Sequence, residues 1–447
     1  MAALPRALLR LLLGLLLLVT PLPSSSSSLG INYGQVANNL PSPEAVIPLL
    51  RSIGVSRVKI YDADPTVLHA FAGSGVEFVV GLADECVVKV RDAGEALTWV
   101  KTNIAPFVAH TKISAITVGN EVLTGNNSGL IHSLLPAMQS IHSALAACGL
   151  DQQVAVTTPH SLAVLETSYP PSAGAFRKDL APYICEILYF LEKTGAPFLI
   201  NAYPFFAYKA DPKRVSLDYV LFQPNAGVLD PATGLRYGNM LHAQVDAVHT
   251  AIDRLMGKGK GFEVKVSETG WPSNGDSGET GATAENAKKY NSNLARLVSQ
   301  KMGTPLRPNS TLQVYIFALF NENMKPGPGS ERNYGLFKPD GTPAYDIGIR
   351  TSATKGGGSG EGTAAQRREE TGSLSQQLFW VLCHLCCDEG RVKTNSDHLF
   401  SHAGVSTHRR WFLSQDRSRV LIPAGASPGT ARRRLLLRRR RCRRAVI

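Results

Sequence analysis

Two glutamates stand where apolar, β-branched runs give way to turns. One closes Ile116-Thr117-Val118-Gly119-Asn120-Glu121-Val122. The other closes Val264-Lys265-Val266-Ser267-Glu268-Thr269-Gly270-Trp271-Pro272. A carboxylate at the end of a buried strand costs desolvation energy unless it is paired or hydrogen-bonded. Either glutamate alone reads equally well as a charge capping a strand. Two at equivalent strand ends point further: in one closed barrel they would face each other across the mouth. Facing carboxylates suit glycoside hydrolysis, in which a protonated one gives its proton to the leaving oxygen and an ionised one attacks the anomeric carbon. A retaining mechanism needs them about 5–5.5 Å apart, an inverting one about 6.5–9.5 Å. The 11 histidines form no HExxH or similar ligand set, so neither a metal nor a cofactor is expected. No Gly-x-Ser-x-Gly elbow suggests a serine hydrolase.

The elements that would position the pair alternate along the chain. Strand candidates are 30–33, 57–61, 77–82, 113–118, 153–157, 198–202, 263–267 and 312–317, rich in β-branched and aromatic residues. Helix patterns cover 43–52, 89–103, 129–148, 184–194, 236–257 and 283–302. Ser128 reads as an N-cap, and Gly149, Gly195 and Gly303 read as helix terminators. Eight strands, each followed by a helix or long loop, predict a (β/α)8 TIM barrel with its chemistry at the C-terminal strand ends. The rival, an open doubly wound sheet, would carry a Gly-rich phosphate fingerprint. Gly30-Ile31-Asn32-Tyr33-Gly34 lacks its spacing.

Aromatic residues collect at the same ends. Tyr61 ends the second strand candidate, Tyr203 the sixth, and Phe206 follows it. Trp271 comes just after Glu268, and Phe320 just after the eighth strand candidate. Sugar C–H faces pack on such rings, and a phenol can also hydrogen-bond. Each ring reads alternatively as plain core.

Several motifs resemble plant glucan endo-1,3-β-glucosidases, family 17 of the glycoside hydrolases. They are Val118-Gly119-Asn120-Glu121-Val122, Val266-Ser267-Glu268-Thr269-Gly270-Trp271-Pro272-Ser273 and Phe317-Ala318-Leu319-Phe320-Asn321-Glu322-Asn323. The opening Gly30-Ile31-Asn32-Tyr33-Gly34 and the closing Tyr334-Gly335-Leu336-Phe337 agree, and the resemblance spans about 29–350. It implies a TIM barrel and retaining hydrolysis of internal β-1,3-glucosidic bonds in glucans of the callose or laminarin type. It also implies Glu121 as acid/base, Glu268 as nucleophile and Asn120 as the partner of the sugar 2-hydroxyl. Glu322 and Lys325 would then support the acid or the substrate. Two alternatives share these motifs: a catalytically silent β-glucan-binding protein, and a transglycosylase using the same glycosyl-enzyme intermediate.

The chain has 447 residues, 44% hydrophobic and 18% charged. That supports a large core and excludes a wholly disordered chain or a small disulfide scaffold. The net charge of +12 is concentrated in residues 351–447, which hold 18 Lys+Arg and 7 Asp+Glu. The body is near neutral, so the basic pI is no nucleic-acid signal. Arg6 and Arg10, the leucine-rich run 11–19 and the serines 24–28 read as a secretory signal over 1–28, since the run is too short to span a bilayer. The expected organisation is that signal, a catalytic domain over 29–350, and a Gly-rich linker with an Arg-rich, disordered tail over 351–447. The expected partners are β-1,3-glucan and, through the tail, acidic wall polysaccharide, with no nucleic acid and no stable membrane span. The protein is expected to be a monomer, outside the cell or in the wall. Asn126 and Asn309 head glycosylation triplets. The body cysteines Cys86, Cys148 and Cys185 fit one bridge plus a thiol, or three thiols.

Overall fold

A computed structural model describes residues 28–259 and 261–347. Apart from Ser28, the leader and the basic tail lie outside the described residues. Nine strands, all parallel, form one sheet: β1 (Leu29–Asn32), β2 (Arg57–Lys59), β3 (Glu77–Leu82), β4 (Lys112–Val118), β5 (Ala155–Thr157), β6 (Pro159–Ser161), β9 (Phe198–Asn201), β12 (Val264–Thr269) and β13 (Val314–Ile316). Two small antiparallel pairs flank it: β7 (Leu165–Thr167) with β8 (Ala175–Phe176), and β10 (Val228–Leu229) with β11 (Arg236–Tyr237).

The sheet order is β5-β4-β3-β2-β1-β13-β12-β9-β6. Its edge strands β5 and β6 are consecutive, separated by Thr158 alone. They are two halves of the fifth passage of an eight-stranded barrel. The first half pairs with β4, Ala155 opposite Ala115, and the second with β9, Ser161 opposite Asn201. The (β/α)8 expectation holds, with one correction: 153–157 contains half of the fifth strand, and the chain itself bridges the gap that no ladder closes.

Side-chain alternation sorts the two barrel faces. Val58, Phe78, Val80, Ile200 and Val266 are fully buried and share one apolar cluster with the helix residues Val46, Leu50, Leu134, Leu188 and Leu294. Each such burial contributes about 1.5–3 kcal/mol. The alternate residues Arg57 and Lys59, Glu77 and Val79, Lys265 and Ser267 line a cavity of about 100 Å³ within the barrel. The interior beneath the strand ends therefore mixes charged and polar side chains with apolar ones such as Val79, Ala115 and Tyr315, and a lysine stands in it paired with Glu268.

The helices differ in detail from the sequence pattern. The 89–103 stretch is two helices, Asp84–Val90 and Ala93–Asn103, because Asp92 turns its carboxylate onto Gly94 N and Glu95 N. The helix Ser128–Ala147 is capped by Asn127, not Ser128, through Leu130 N. Gly149 and Gly195 end helices with positive φ as expected. Gly303 does not: its helix stops at Ser299, Lys301 takes the left-handed position, and Gly303 instead lets Arg307 O approach where a Cβ would clash. Cys86 and Cys148 are free thiols. Among the described residues no helix is long and apolar enough to cross a membrane.

Candidate active site

Glu121 follows β4 through a turn that begins at Gly119, whose φ is +64°. A Cβ there would come within 2.6 Å of Val122 Cγ2, so the position requires glycine. Glu121 itself is left-handed at φ +54°, and its N–H donates to Pro159 O at 3.0 Å. A glutamate in that conformation carries strain of order 1–3 kcal/mol, held by its surroundings. The turn thus ties the end of β4 to the start of β6.

Glu268 reaches the same region through a bulge in β12. Val266 lies opposite Ile200 and Glu268 opposite Asn201, so β12 carries one extra residue relative to β9. The same excess occurs against β13, between Val266 and Thr269. A bulge bends its strand and re-aims side chains. Both Ser267 and Glu268 take part in the barrel's polar network as a result. Ser267 Oγ donates to Asn201 Oδ1 at 2.6 Å, and Asn201 Nδ2 donates to Glu121 Oε1 at 3.0 Å. Asn32 Nδ2 donates to Ser267 O and Ile316 O, each at 3.2 Å, pinning β1 against the bulge.

The two carboxyls sit in opposite electrostatic environments. Burial and the nearby charge of Glu268 push Glu121 up to about 7, against the Asn201 bond and the Lys59 charge. Burial acts upward on Glu268 too, but the Lys59 charge and bonds from Lys59 and Tyr61 outweigh it and hold that carboxyl below its ordinary range. Three donors reach Glu268: Lys59 Nζ at 2.8 Å and Tyr61 Oη at 2.7 Å on Oε1, and Tyr203 Oη at 2.8 Å on Oε2. The arrangement provides one carboxyl able to carry a proton near neutrality and one kept ionised.

Around this pair the predicted residues divide. Tyr61 and Tyr203 join it directly. Asn120, beside Glu121, keeps its backbone N–H on Asp84 Oδ1 at 2.9 Å, while its side-chain Oδ1 is buried without a hydrogen-bond partner. Phe206 is 37% exposed, its ring 5.4 Å from that of Tyr203. Lys325 stands 4.0 Å over the Phe317 ring, pairs with Glu331 at 3.3 Å, and helps hold Glu268 down.

Two expectations are corrected. Trp271 is fully buried, bonded through Nε1 to Gly281 O at 2.7 Å and packed on Phe205 and Tyr290. Phe320 is equally buried, against Tyr33 and Phe337. Neither offers a ring face to a sugar. Glu322 is also buried, and its Oε1 accepts from Val36 N at 2.8 Å. It holds the loop after β1 in place, and its charge reaches Tyr61, the donor to Glu268, as expected of a residue that supports the site.

Sequence reading missed Lys59, Asn201 and Glu331. Lys59 had a signal: it is a cation inside the otherwise apolar run Val58–Ile60. Asn201 had a weaker one, as a polar residue ending Phe198-Leu199-Ile200. Glu331 lies in a Gly- and Pro-rich loop, and nothing local marks it.

Known proteins place these observations. The profile of the Glycosyl hydrolases family 17 matches residues 29–349. Glucan endo-1,3-beta-glucosidase 10 of Arabidopsis thaliana is 60% identical over 340 residues, covering 76% of this chain and 80% of the relative. A glucan endo-1,3-beta-D-glucosidase of Olea europaea is 46% identical, covering 73% and 71%. Among solved structures, a beta-1,3-glucanase and allergen of Cryptomeria japonica pollen superposes with a TM-score of 0.68 at 39% identity. It covers 72% of this chain and 99% of that one.

Proposed function

This chain belongs to family 17 of the glycosyl hydrolases, and from that premise we propose that it is a secreted endo-β-1,3-glucanase in which Glu121 is the acid/base and Glu268 the nucleophile. The observation that carries the assignment is the opposite displacement of the two carboxyls, Glu121 up to about 7 and Glu268 below its ordinary range. A general acid must hold its proton at working pH, and a nucleophile must not.

The reaction follows from that difference. Glu268 forms a bond to the anomeric carbon as the glycosidic C–O bond breaks, and the Glu121 proton moves to the departing oxygen. Water then attacks the same carbon, Glu121 takes a proton from it, and the Glu268 ester bond breaks. Two inversions give net retention. Esterification removes the Glu268 charge, which is one of the causes that raise Glu121. Glu121 therefore becomes more acidic between the steps and enters the second as a base. Lys59, Tyr61 and Tyr203 stabilise Glu268 as entering and as departing carboxylate. The unpartnered Asn120 Oδ1 offers an acceptor to a sugar hydroxyl, and Phe206 offers an exposed ring face. Lys325 acts through the field on Glu268.

Release of reducing sugar from a linear β-1,3-glucan by the full chain tests this reading, with Glu121→Gln and Glu268→Gln beside it. Loss in both folded variants is expected. No release by a well-folded parent protein would overturn it. Secretion to the wall rests on the Arg6–Ser28 pattern, and glycosylation on the exposed Asn126 and Asn309. Intact mass of secreted protein before and after deglycosylation checks both. The basic tail would hold acidic wall polysaccharide to a monomer in a salt-dependent way, which salt-titrated binding to pectate would measure.

A further inference from the structure

Glu279 touches neither catalytic carboxyl, yet three loops at the C-terminal barrel face meet on it. Its side chain is 4% exposed. Oε1 accepts from Lys209 Nζ at 2.8 Å and Ser330 Oγ at 2.6 Å. Oε2 accepts from Ser330 N at 2.8 Å and Asp276 N at 3.0 Å. Lys209 lies on the helix Pro204–Ala210, which begins just after Tyr203. Asp276 lies on the loop that leaves β12 after Glu268. Ser330 lies in the turn Gly329–Arg332, which carries Glu331.

A second carboxylate fastens the same junction. Asp276 Oδ2 accepts from Gly329 N at 2.8 Å, and a Cβ on Gly329 would come within 2.5 Å of its Oδ1. A Cβ on Gly275 would come within 2.8 Å of Glu279 Oε2. The backbone is thus drawn tightly around two anions, and four donors satisfy Glu279 alone. A buried carboxylate with so many charge-assisted bonds fixes the geometry of everything that donates to it.

What the three loops carry gives the junction its consequence. The first carries Tyr203, bonded to Glu268 Oε2. The second continues directly from Glu268. The third carries Glu331, whose charge, with burial and the charge of Glu268, raises Glu121 against the bond from Asn201 and the charge of Lys59. Glu331 also holds Lys325, which acts on Glu268.

We infer that Glu279 is a positioning residue for the reaction: it clamps these loops so that Tyr203 and Glu331 keep their distances to Glu268 and Glu121. The inference rests on the assignment of those two glutamates. Loosening the clamp lets Glu331 recede. Glu121 then loses one of the causes raising it, and the alkaline limb of the pH profile moves to lower pH.

The test uses the full chain with Glu279→Gln and Ser330→Ala, each followed for thermal stability and for kcat/KM on linear β-1,3-glucan across pH. In folded Glu279→Gln we expect kcat to fall about 10- to 100-fold, as for a misplaced catalytic group, with the alkaline limb displaced acidwards. Ser330→Ala keeps the Glu279 charge, so a smaller displacement in the same direction separates loop position from loss of charge. A lowered Tm with unchanged kcat and unchanged pH limbs in Ser330→Ala, and in Glu279→Gln if it folds, would reduce Glu279 to a structural staple and overturn the inference. If Glu279→Gln does not fold, Ser330→Ala alone decides by the same criteria. An inactive parent protein would instead sink the assignment of Glu121 and Glu268.

Discussion

Lys59 Nζ lies 2.8 Å from Glu268 Oε1, with side chains 1% and 8% exposed. The two residues are on β2 and β12, separated in the sheet by β1 and β13, so it is the curling of the sheet into a barrel that brings their side chains together across its interior. The lysine also stands 3.9 Å over the Tyr61 ring. Its charge lowers both Glu268 and Glu121. Lys59→Met should therefore shift both limbs of the kcat/KM–pH profile to higher pH, a displacement that simple loss of packing would not produce. Breaking a buried pair by removing one partner costs about 3–5 kcal/mol, so a clear fall in Tm should accompany it. Unmoved limbs would refute the electrostatic role.

The unmodified enzyme should show a bell-shaped profile. Glu268 must be ionised, so activity falls as pH drops through its lowered value. Glu121 must be protonated, so activity falls as pH rises through about 7. Stability follows the same sign. A carboxyl raised in the folded state contributes stability below its unfolded value, and that contribution is lost as pH rises through the folded one. Glu121→Gln should therefore melt at a higher temperature than the parent at pH 8 and show little difference at pH 4. Equal Tm differences at both pH values would contradict the raised carboxyl.

Phe206 and Trp271 should separate cleanly. Phe206→Ala removes an exposed ring and should raise KM for the glucan while leaving Tm nearly unchanged. Trp271→Phe removes one of three hydrogen bonds to Gly281 O, those from Thr283 N and Asn286 Nδ2 remaining, and opens space beside Phe205 and Tyr290. It should lower stability by about 1–3 kcal/mol with KM unchanged in the folded protein. Denaturant titration and steady-state kinetics on the same samples decide it.

Gly119→Ala tests the turn beneath the acid. The left-handed φ and the Val122 contact both penalise a Cβ. We expect a loss of about 1–3 kcal/mol and a fall in kcat larger than any change in KM, because Glu121 is displaced with the turn.

Much of this molecule is written locally. The run 77–82 forms a strand and 43–52 a helix as their patterns predict, since each needs only its own periodicity and caps. Thr158 is different. Which neighbour each half of the fifth strand joins depends on where the sheet closes, and no local pattern encodes that. Trp271 and Phe320 show the same limit: an aromatic after a strand end suits a sugar face or a core equally, until the neighbouring loops bury it.

By itself, the sequence determined that two carboxylates end strands of one parallel barrel, because strand periodicity and turn residues act over a few positions. It also carried the family, through motifs that are contiguous. The tertiary structure decided which carboxyl keeps its proton. That difference depends on Lys59 and Tyr61 from β2 and its end, Tyr203 and Asn201 from β9 and its end, and Glu331 from the last loop. Fields and hydrogen bonds act through space over a few ångströms, and residues hundreds of positions apart reach that range only once the barrel has closed.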